Sequence, residues 1–140
     1  MPTKYKLSKV VSRDAPNFTM NPAELYQYLP ENVDFKVKRI YWLTNPKGEK
    51  KSGQHAHTDE DEIFVVLKGE ASIVLDEGSG KETLPLSTND FIWVPRYVWH
   101  GFEKLSDDSI VLALSSTNYD PERKGYVEDY EKFKQLVLKA

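Results

Sequence analysis

The sequence contains no cysteine. That excludes disulfide frameworks, thiolate nucleophiles and cysteine-ligated zinc in one step, and it suits a reducing compartment. Histidine is scarce too, with three in the chain. Any imidazole chemistry therefore falls to His55, His57 and His100. Charge of one sign is not in excess: 19 Lys and Arg stand against 22 Asp and Glu, a formal net charge of −3. That balance argues against nucleic acid or an anionic membrane surface as a partner. No apolar run approaches the ~20 residues that span a bilayer, and the opening MPTKYKLSKVV has no apolar leader core. The expectation is a soluble cytoplasmic protein. There is no internal repeat and no low-complexity tract, and the densest basic stretch, PKGEKKSGQ, reads as a solvated turn. The 140 residues suit one compact domain, 1–140, large enough to bury a core without covalent staples.

What is there is mostly strand. NPAELYQYLP predicts a short helix over 21–30, with Asn21 as N-cap, Pro22 in the first turn and Pro30 as the stop. A loosely alternating stretch over 5–11 could be an edge strand. From Phe35 the period is two: FKVKRIYWL puts Phe35, Val37, Arg39, Tyr41 and Leu43 on one face. IFVVL, ASIVL, ETLPL, FIWVP, VWHGFEKL and SIVLALSS follow, separated by turn chemistry such as Lys68-Gly69 and DEGSG. After Pro121 the period changes. Tyr126, Val127, Tyr130, Phe133, Leu136 and Val137 recur at helical spacing with charged residues between them, which predicts an amphipathic C-terminal helix whose aromatics serve packing. Eight or more short strands with a helix at each end make an all-β sandwich or jelly-roll barrel the expected fold.

Strand alternation puts His55 and His57 on one face. Two imidazoles on one face can share one target, either a metal ion or a substrate. Glu62 follows five residues after His57, Gly69 seven after Glu62, and His100 five after Pro95.

This pattern, His-x-His, four residues, Glu, six residues, Gly, and later Pro, four residues, His, resembles the two motifs of the cupin superfamily. The second match is partial, because Asn89 and Tyr97 stand where glycines are usual. A narrower resemblance lies in VKRIYWLTNPKGEKKSGQHAH, VPRYVWH and SSTNYDPERKGYVEDYEKF. Together these are similar to the sugar 3,4-ketoisomerase family over about 35–133, most of the chain. The resemblance implies a cupin-type jelly-roll barrel. It implies an isomerase that moves the keto group between C4 and C3 of a dTDP-linked 4-keto-6-deoxyhexose, in deoxyamino-sugar biosynthesis for bacterial surface glycans. It implies no metal or other cofactor, and a homodimer.

Such a reaction needs a base near neutral pKa and a proton shuttle, tasks that suit imidazole. The resemblance implies these roles for His55 and His57 without dividing them; the reading taken is His55 as base and His57 as shuttle or positioning partner, with the reverse assignment open. It favours substrate contacts from Arg39 and Tyr41, whose alternative is a barrel rim with Arg39 reaching to water; Glu62, Arg96, Trp99 and His100 are further candidate substrate-binding residues by their place in or beside the matched motifs. The Trp99-His100 pair can equally be core. Arg96 and Lys51 are candidates for the diphosphate. Three departures from the family stand out. The acid-x-Arg-Gly motif near the N-terminus is missing, and Ser52-Gly53 replaces the Arg-Gly before His-Ala-His. Glu62 takes a place commonly held by Gln, which restores the His55, His57, Glu62, His100 set of metal-binding cupins. A metal-dependent enzyme and a non-catalytic sugar-binding cupin are therefore the alternative readings.

Overall fold

The structure, a computed structural model, describes residues 11–12, 18–20, 23–25 and 36–138. In chain order its strands are β1 (Val11–Ser12), β2 (Phe18–Met20), β3 (Ala23–Leu25), β4 (Arg39–Thr44), β5 (Ala56–His57), β6 (Glu62–Lys68), β7 (Ala71–Asp76), β8 (Glu82–Leu86), β9 (Phe91–Val94), β10 (Trp99–Glu103), β11 (Ile110–Ser115) and β12 (Tyr126–Val127), followed by helix α1 (Tyr130–Leu138). One sheet has the order β1-β9-β6-β11-β4, another β10-β7-β8, and short pairs β12-β5 and β2-β3 complete the set. All pairings are antiparallel. A bridge between His55 and His100 joins β5 to β10, so the second layer reads β12-β5-β10-β7-β8. The result is the cupin-type jelly roll.

The core lies between the layers. Aliphatic and aromatic residues at alternate positions supply it: Phe64 and Val66 from β6, Ile73 and Leu75 from β7, Ile92 and Val94 from β9, Phe102 from β10 and Val111 from β11. Each fully buried side chain of this kind stabilises the fold by about 1.5–3 kcal/mol relative to exposure. Small residues on β11 make room for large ones beside them. Ala113 is registered between Tyr41 and Phe64, and Ser115 between Arg39 and Glu62. The turn after β6 needs Gly69. Its φ is +79°, and a Cβ there would meet Ser106 Oγ at 2.3 Å and the Ser109 backbone at 2.9 Å.

Two further turns show what replaces the usual motif glycines. Asn89 and Tyr97 adopt φ of 75° and 64°, the left-handed conformation that a glycine would take freely. Asn tolerates it through its short polar side chain. Tyr97 is held there by its N–H, which donates to the His57 carbonyl at 2.7 Å.

α1 begins later than the periodicity predicts. Asp129 caps it, its carboxylate accepting the N–H groups of Glu131 and Lys132 at 2.9 and 3.2 Å. Phe133 and Val137 pack on Trp99 and Ala56, on the outer face of the second layer. Tyr130 donates to buried Asp76 and ties the helix to the end of β7. Tyr126 and Val127, expected in that helix, instead form β12. Of the helix expected over 21–30 only Ala23–Leu25 is described, as a strand paired with β2, and the rest lies outside the described residues. Of the edge strand expected over 5–11 only Val11 is described, where it pairs with Ile92. Among the described residues no helix is long and apolar enough to cross a membrane.

Candidate active site

The barrel brings all three histidines to one point. β5 and the His55–His100 bridge, with N···O distances of 3.0 and 2.8 Å, set His55 and His57 beside His100 on the inner face of the second layer. β6 presents Glu62 from the opposite sheet. The Nε2 atoms of His55 and His57 are 3.0 Å apart. Glu62 Oε1 lies 3.0 Å from His57 Nε2 and 3.4 Å from His100 Nε2, and Glu62 Oε2 accepts a short hydrogen bond from the Tyr41 hydroxyl. One nitrogen of each of two rings is already committed: His55 Nδ1 faces the Gly53 carbonyl at 3.2 Å and His100 Nδ1 the Val98 carbonyl at 2.9 Å. A carbonyl only accepts, so both Nδ1 atoms carry the proton, and the His55 ring, kept neutral by its surroundings, turns an Nε2 lone pair toward His57.

The electrostatics follow from burial and like neighbours. Burial, then the nearby His100 and His57, pushes the His55 pKa down to about 3, below the near-neutral base expected from sequence, so its Nε2 stays an unprotonated acceptor across the physiological range, 3.0 Å from His57 Nε2. Burial works to raise Glu62, yet the His100 and His57 imidazoles beside it hold its carboxyl well below the usual range. Glu62 is thus an anion with no solvent exposure. Burial and the Glu62 charge drive the Tyr41 hydroxyl far upward, so it stays a donor.

A second carboxylate lies behind His57. Glu60 is 6% exposed; it accepts from Arg39 Nη2 at 3.2 Å and Thr117 Oγ1 at 2.8 Å, and stands 3.8 Å from His57 Nδ1. Burial and the Glu62 charge raise its pKa.

The C-terminal chain then closes over the histidines. β12 pairs with β5, Tyr126 opposite His57. The approach depends on Gly125, where a Cβ would meet Asp59 Oδ1 at 2.0 Å. The Tyr126 ring stacks on His55, with centroids 4.3 Å apart and planes 18° off parallel, and meets His57 edge-on at 4.6 Å. The Arg123 guanidinium lies 4.1 Å from the Tyr126 centroid. Tyr41, Arg123 and Tyr126 form the shared wall of two chambers of about 500 and 440 Å³. The larger contains Arg39, His57, Glu60 and Tyr119. The smaller contains His55, His100 and the aromatic floor of Phe64 and Phe102.

Of the residues singled out from sequence, His55, His57, Arg39, Tyr41, Glu62 and His100 meet here. Arg96 and Trp99 do not. Arg96 is engaged by Asp61, at 3.3 Å from Nε and 3.1 Å from Nη2, and lines neither chamber. Trp99 points the other way from His100, as strand parity requires. It packs on α1 and donates from Nε1 to Gln54 at 2.9 Å. Lys51 pairs with Glu49 on the surface. Sequence reasoning missed Glu60, Thr117, Arg123 and Tyr126. For Tyr126 a signal existed in Asp129, whose capping chemistry starts the helix three residues after it.

The donors also fit a metal. One ring nitrogen from each of the three histidines and one Glu62 oxygen lie within 4.8 Å of one another. Ligands at right angles on a metal with bonds of about 2.1 Å stand about 3 Å apart, as His57 Nε2 does from His55 Nε2 and from Glu62 Oε1. Glu62 Oε1 and His100 Nε2 are buried with no hydrogen-bond partner, and both Nδ1 hydrogen bonds are of the kind that orients metal-ligating imidazoles.

The fold and the site together define a small cupin-type barrel whose histidine cluster sits in a cleft at the barrel mouth. The chain belongs to the family described as "FdtA: WxcM-like, C-terminal", whose model matches residues 13–138. It is 31% identical over 110 residues, 78% of each chain, to a TDP-4-oxo-6-deoxy-alpha-D-glucose-3,4-oxoisomerase from Aneurinibacillus thermoaerophilus. Among solved structures it is similar to WlaRA, a TDP-fucose-3,4-ketoisomerase from Campylobacter jejuni, with a TM-score of 0.74, 27% identity, and coverage of 86% of this chain and 89% of that one. QdtA, a sugar 3,4-ketoisomerase from Thermoanaerobacterium thermosaccharolyticum in complex with TDP, shares the fold at a TM-score of 0.75 and 19% identity, covering 87% of this chain and 89% of that one.

Proposed function

We propose that the protein is an isomerase that shifts the keto group between C4 and C3 of a TDP-linked 4-keto-6-deoxyhexose. One observation carries the reading: His55 offers a bare Nε2 lone pair, fixed by its Nδ1 contact to Gly53, next to a second imidazole that can pass a proton on. His55 removes the proton from C3, and the electron pair moves to form an enediolate with its charge on the C4 oxygen. His57 Nε2–H, between His55 and the Glu62 anion, carries protons between the two oxygens. Tyr41, whose hydroxyl proton goes to Glu62 Oε2, and His100 line the smaller chamber, and His57 Nε2–H is the donor available to the developing oxyanion. Return of a proton to C4 completes the exchange with no net gain or loss of atoms. Electrostatic stabilisation of such an enediolate by fixed donors is the largest part of the barrier reduction expected for this reaction class.

The test is turnover of TDP-4-keto-6-deoxyglucose, followed by the appearance of the 3-keto isomer. Wild-type protein converts it, and His55→Asn lowers kcat by about a thousandfold or more, the upper part of the range for loss of a general base, while the fold survives. Binding without turnover by the wild type would make the protein a sugar-binding cupin instead.

The orphaned pair Glu62 Oε1 and His100 Nε2 favours a second reading, in which His55, His57, Glu62 and His100 hold a divalent transition metal. Such an ion would supply Lewis-acid polarisation of a carbonyl oxygen.

The assembly we propose is a homodimer. The outer face of the five-stranded sheet is apolar at its β4 edge, where Ile40 and Trp42 are 59% and 62% exposed. Leu114 and Leu112 on β11 lie directly beside them. An apolar patch on an edge strand is a surface that a second copy would cover.

A further inference from the structure

A nucleotide-linked sugar carries two negative phosphates, and the cleft must answer them. Among the described residues lining the two chambers the cations are Arg39 and Arg123. Arg39 is already answered: its Nη2 faces the Glu60 carboxylate, which is buried. Separating that pair would strand a charge away from water, a costly step. Arg123 is different. Its partner is Glu128, at 2.6 Å, and the two side chains are 51% and 60% exposed. An exposed pair of that kind contributes little to stability, so a phosphate, which takes a guanidinium through two parallel hydrogen bonds, can displace Glu128 at small cost.

The position of Arg123 is fixed by the chain. Its backbone is in the left-handed region, φ 53°, a conformation that costs a non-glycine residue about 1 kcal/mol or more and persists where surroundings enforce it. They do so here. The Arg123 N–H donates to the Asp120 carbonyl and the Tyr126 N–H to the Arg123 carbonyl, both at 3.1 Å. The Asp120 carboxylate takes the N–H groups of Glu122 and Lys124 at 2.9 and 3.1 Å. The side chain so directed rests on Tyr126, and Tyr126 rests on His55. Arg123 is therefore one aromatic ring away from the base.

That offset matches the substrate. C3 of the hexose is two bonds from C1, and the oxygen on C1 bears the first phosphate. With C3 at His55, the phosphate lies about one ring away. Arg123 also stands on the wall common to both chambers, where a substrate with its sugar in one and its nucleoside in the other must cross. We propose that Arg123 is the diphosphate-binding and orienting residue of this protein, exchanging its surface ion pair with Glu128 for the phosphates of a nucleotide-linked sugar. The proposal rests on the functional reading above.

The test compares dTDP with thymidine, by titration calorimetry, on wild type, Arg123→Met and Arg123→Lys, with turnover measured alongside. Wild type binds dTDP more tightly than thymidine. Arg123→Met weakens dTDP binding roughly tenfold or more, the loss of one charge-assisted hydrogen-bonded pair, and leaves thymidine unchanged. Arg123→Lys recovers part of the loss, because it restores the charge without the planar fork. In turnover the Met variant raises KM far more than it lowers kcat. Unchanged dTDP affinity in Arg123→Met overturns the proposal, and so does a wild type that binds dTDP no better than thymidine. Absence of turnover with phosphate-dependent binding intact would sink the isomerase reading alone and leave the role of Arg123 standing.

Discussion

His55 should reveal itself in the acid stability of the protein before any substrate is added. Folding lowers its pKa from the ordinary 6.5 to about 3, first by burial and then by the neighbouring His100 and His57. Between those values the unfolded chain binds a proton that the folded protein refuses, so acid drives unfolding. Above pH 6.5 neither state is protonated and His55 adds no pH dependence. At pH 5, one and a half units below the unfolded value, the penalty is at most about 2 kcal/mol, at about 1.4 kcal/mol per unit. Solvent contact of the partly exposed ring makes this an upper bound. Glu62, held below its ordinary 4.5, loses its stabilising contribution only as pH falls through and below that value. Glu60, shifted upward by burial and by Glu62, acts with the opposite sign, and it is present equally in wild type and variant. Urea unfolding of wild type and His55→Asn at pH 7.5 and pH 5 gives the difference directly. Wild type should lose about 1–2 kcal/mol more than the variant across that range. Equal losses would mean that His55 titrates normally, and the argument for a permanently bare Nε2 would fail.

Two further outcomes bear on assembly and on the ligand set. Trp42→Glu places a charge on the apolar outer face of β4, and it should convert a dimer to a monomer in size-exclusion chromatography with light scattering, with the fold intact. A dimer that persists places the interface elsewhere. The proton-transfer reading expects tag-free protein to carry no stoichiometric transition metal by elemental analysis and to keep its activity after chelator treatment. A stoichiometric ion that leaves with chelator, taking activity with it and failing to bind Glu62→Ala, puts the metal reading first.

The strand architecture was legible in the residues alone, because strand periodicity and turn chemistry are local properties. Alternation set Arg39, Tyr41 and Leu43 on the inner face of β4 and Ile40 and Trp42 on the outer, and the spacing of His55, His57, Glu62 and His100 was enough to nominate them as one cluster. The same parity argument, applied to Trp99, would have turned it away from His100 and toward α1, where it lies. The motif positions of Asn89 and Tyr97 carried the left-handed backbone of glycines without being glycines, which residue identity alone does not disclose.

The surroundings of the histidines were settled by folding, through contacts that periodicity does not encode. Glu60 looked like one member of the acidic run Asp59–Glu62, and its burial depends on Arg39 and Thr117 arriving from β4 and the end of β11. Arg96 sat beside a matched motif, but Asp61, distant in sequence, holds it outside the cleft. Tyr126 and Arg123 read as helix and loop, and they reach His55 because β12 pairs with β5 across nearly seventy residues of chain. Each of these outcomes rests on contacts between segments far apart in sequence. Periodicity can state which face a side chain occupies, whereas the partner waiting on that face is fixed only when the two sheets close.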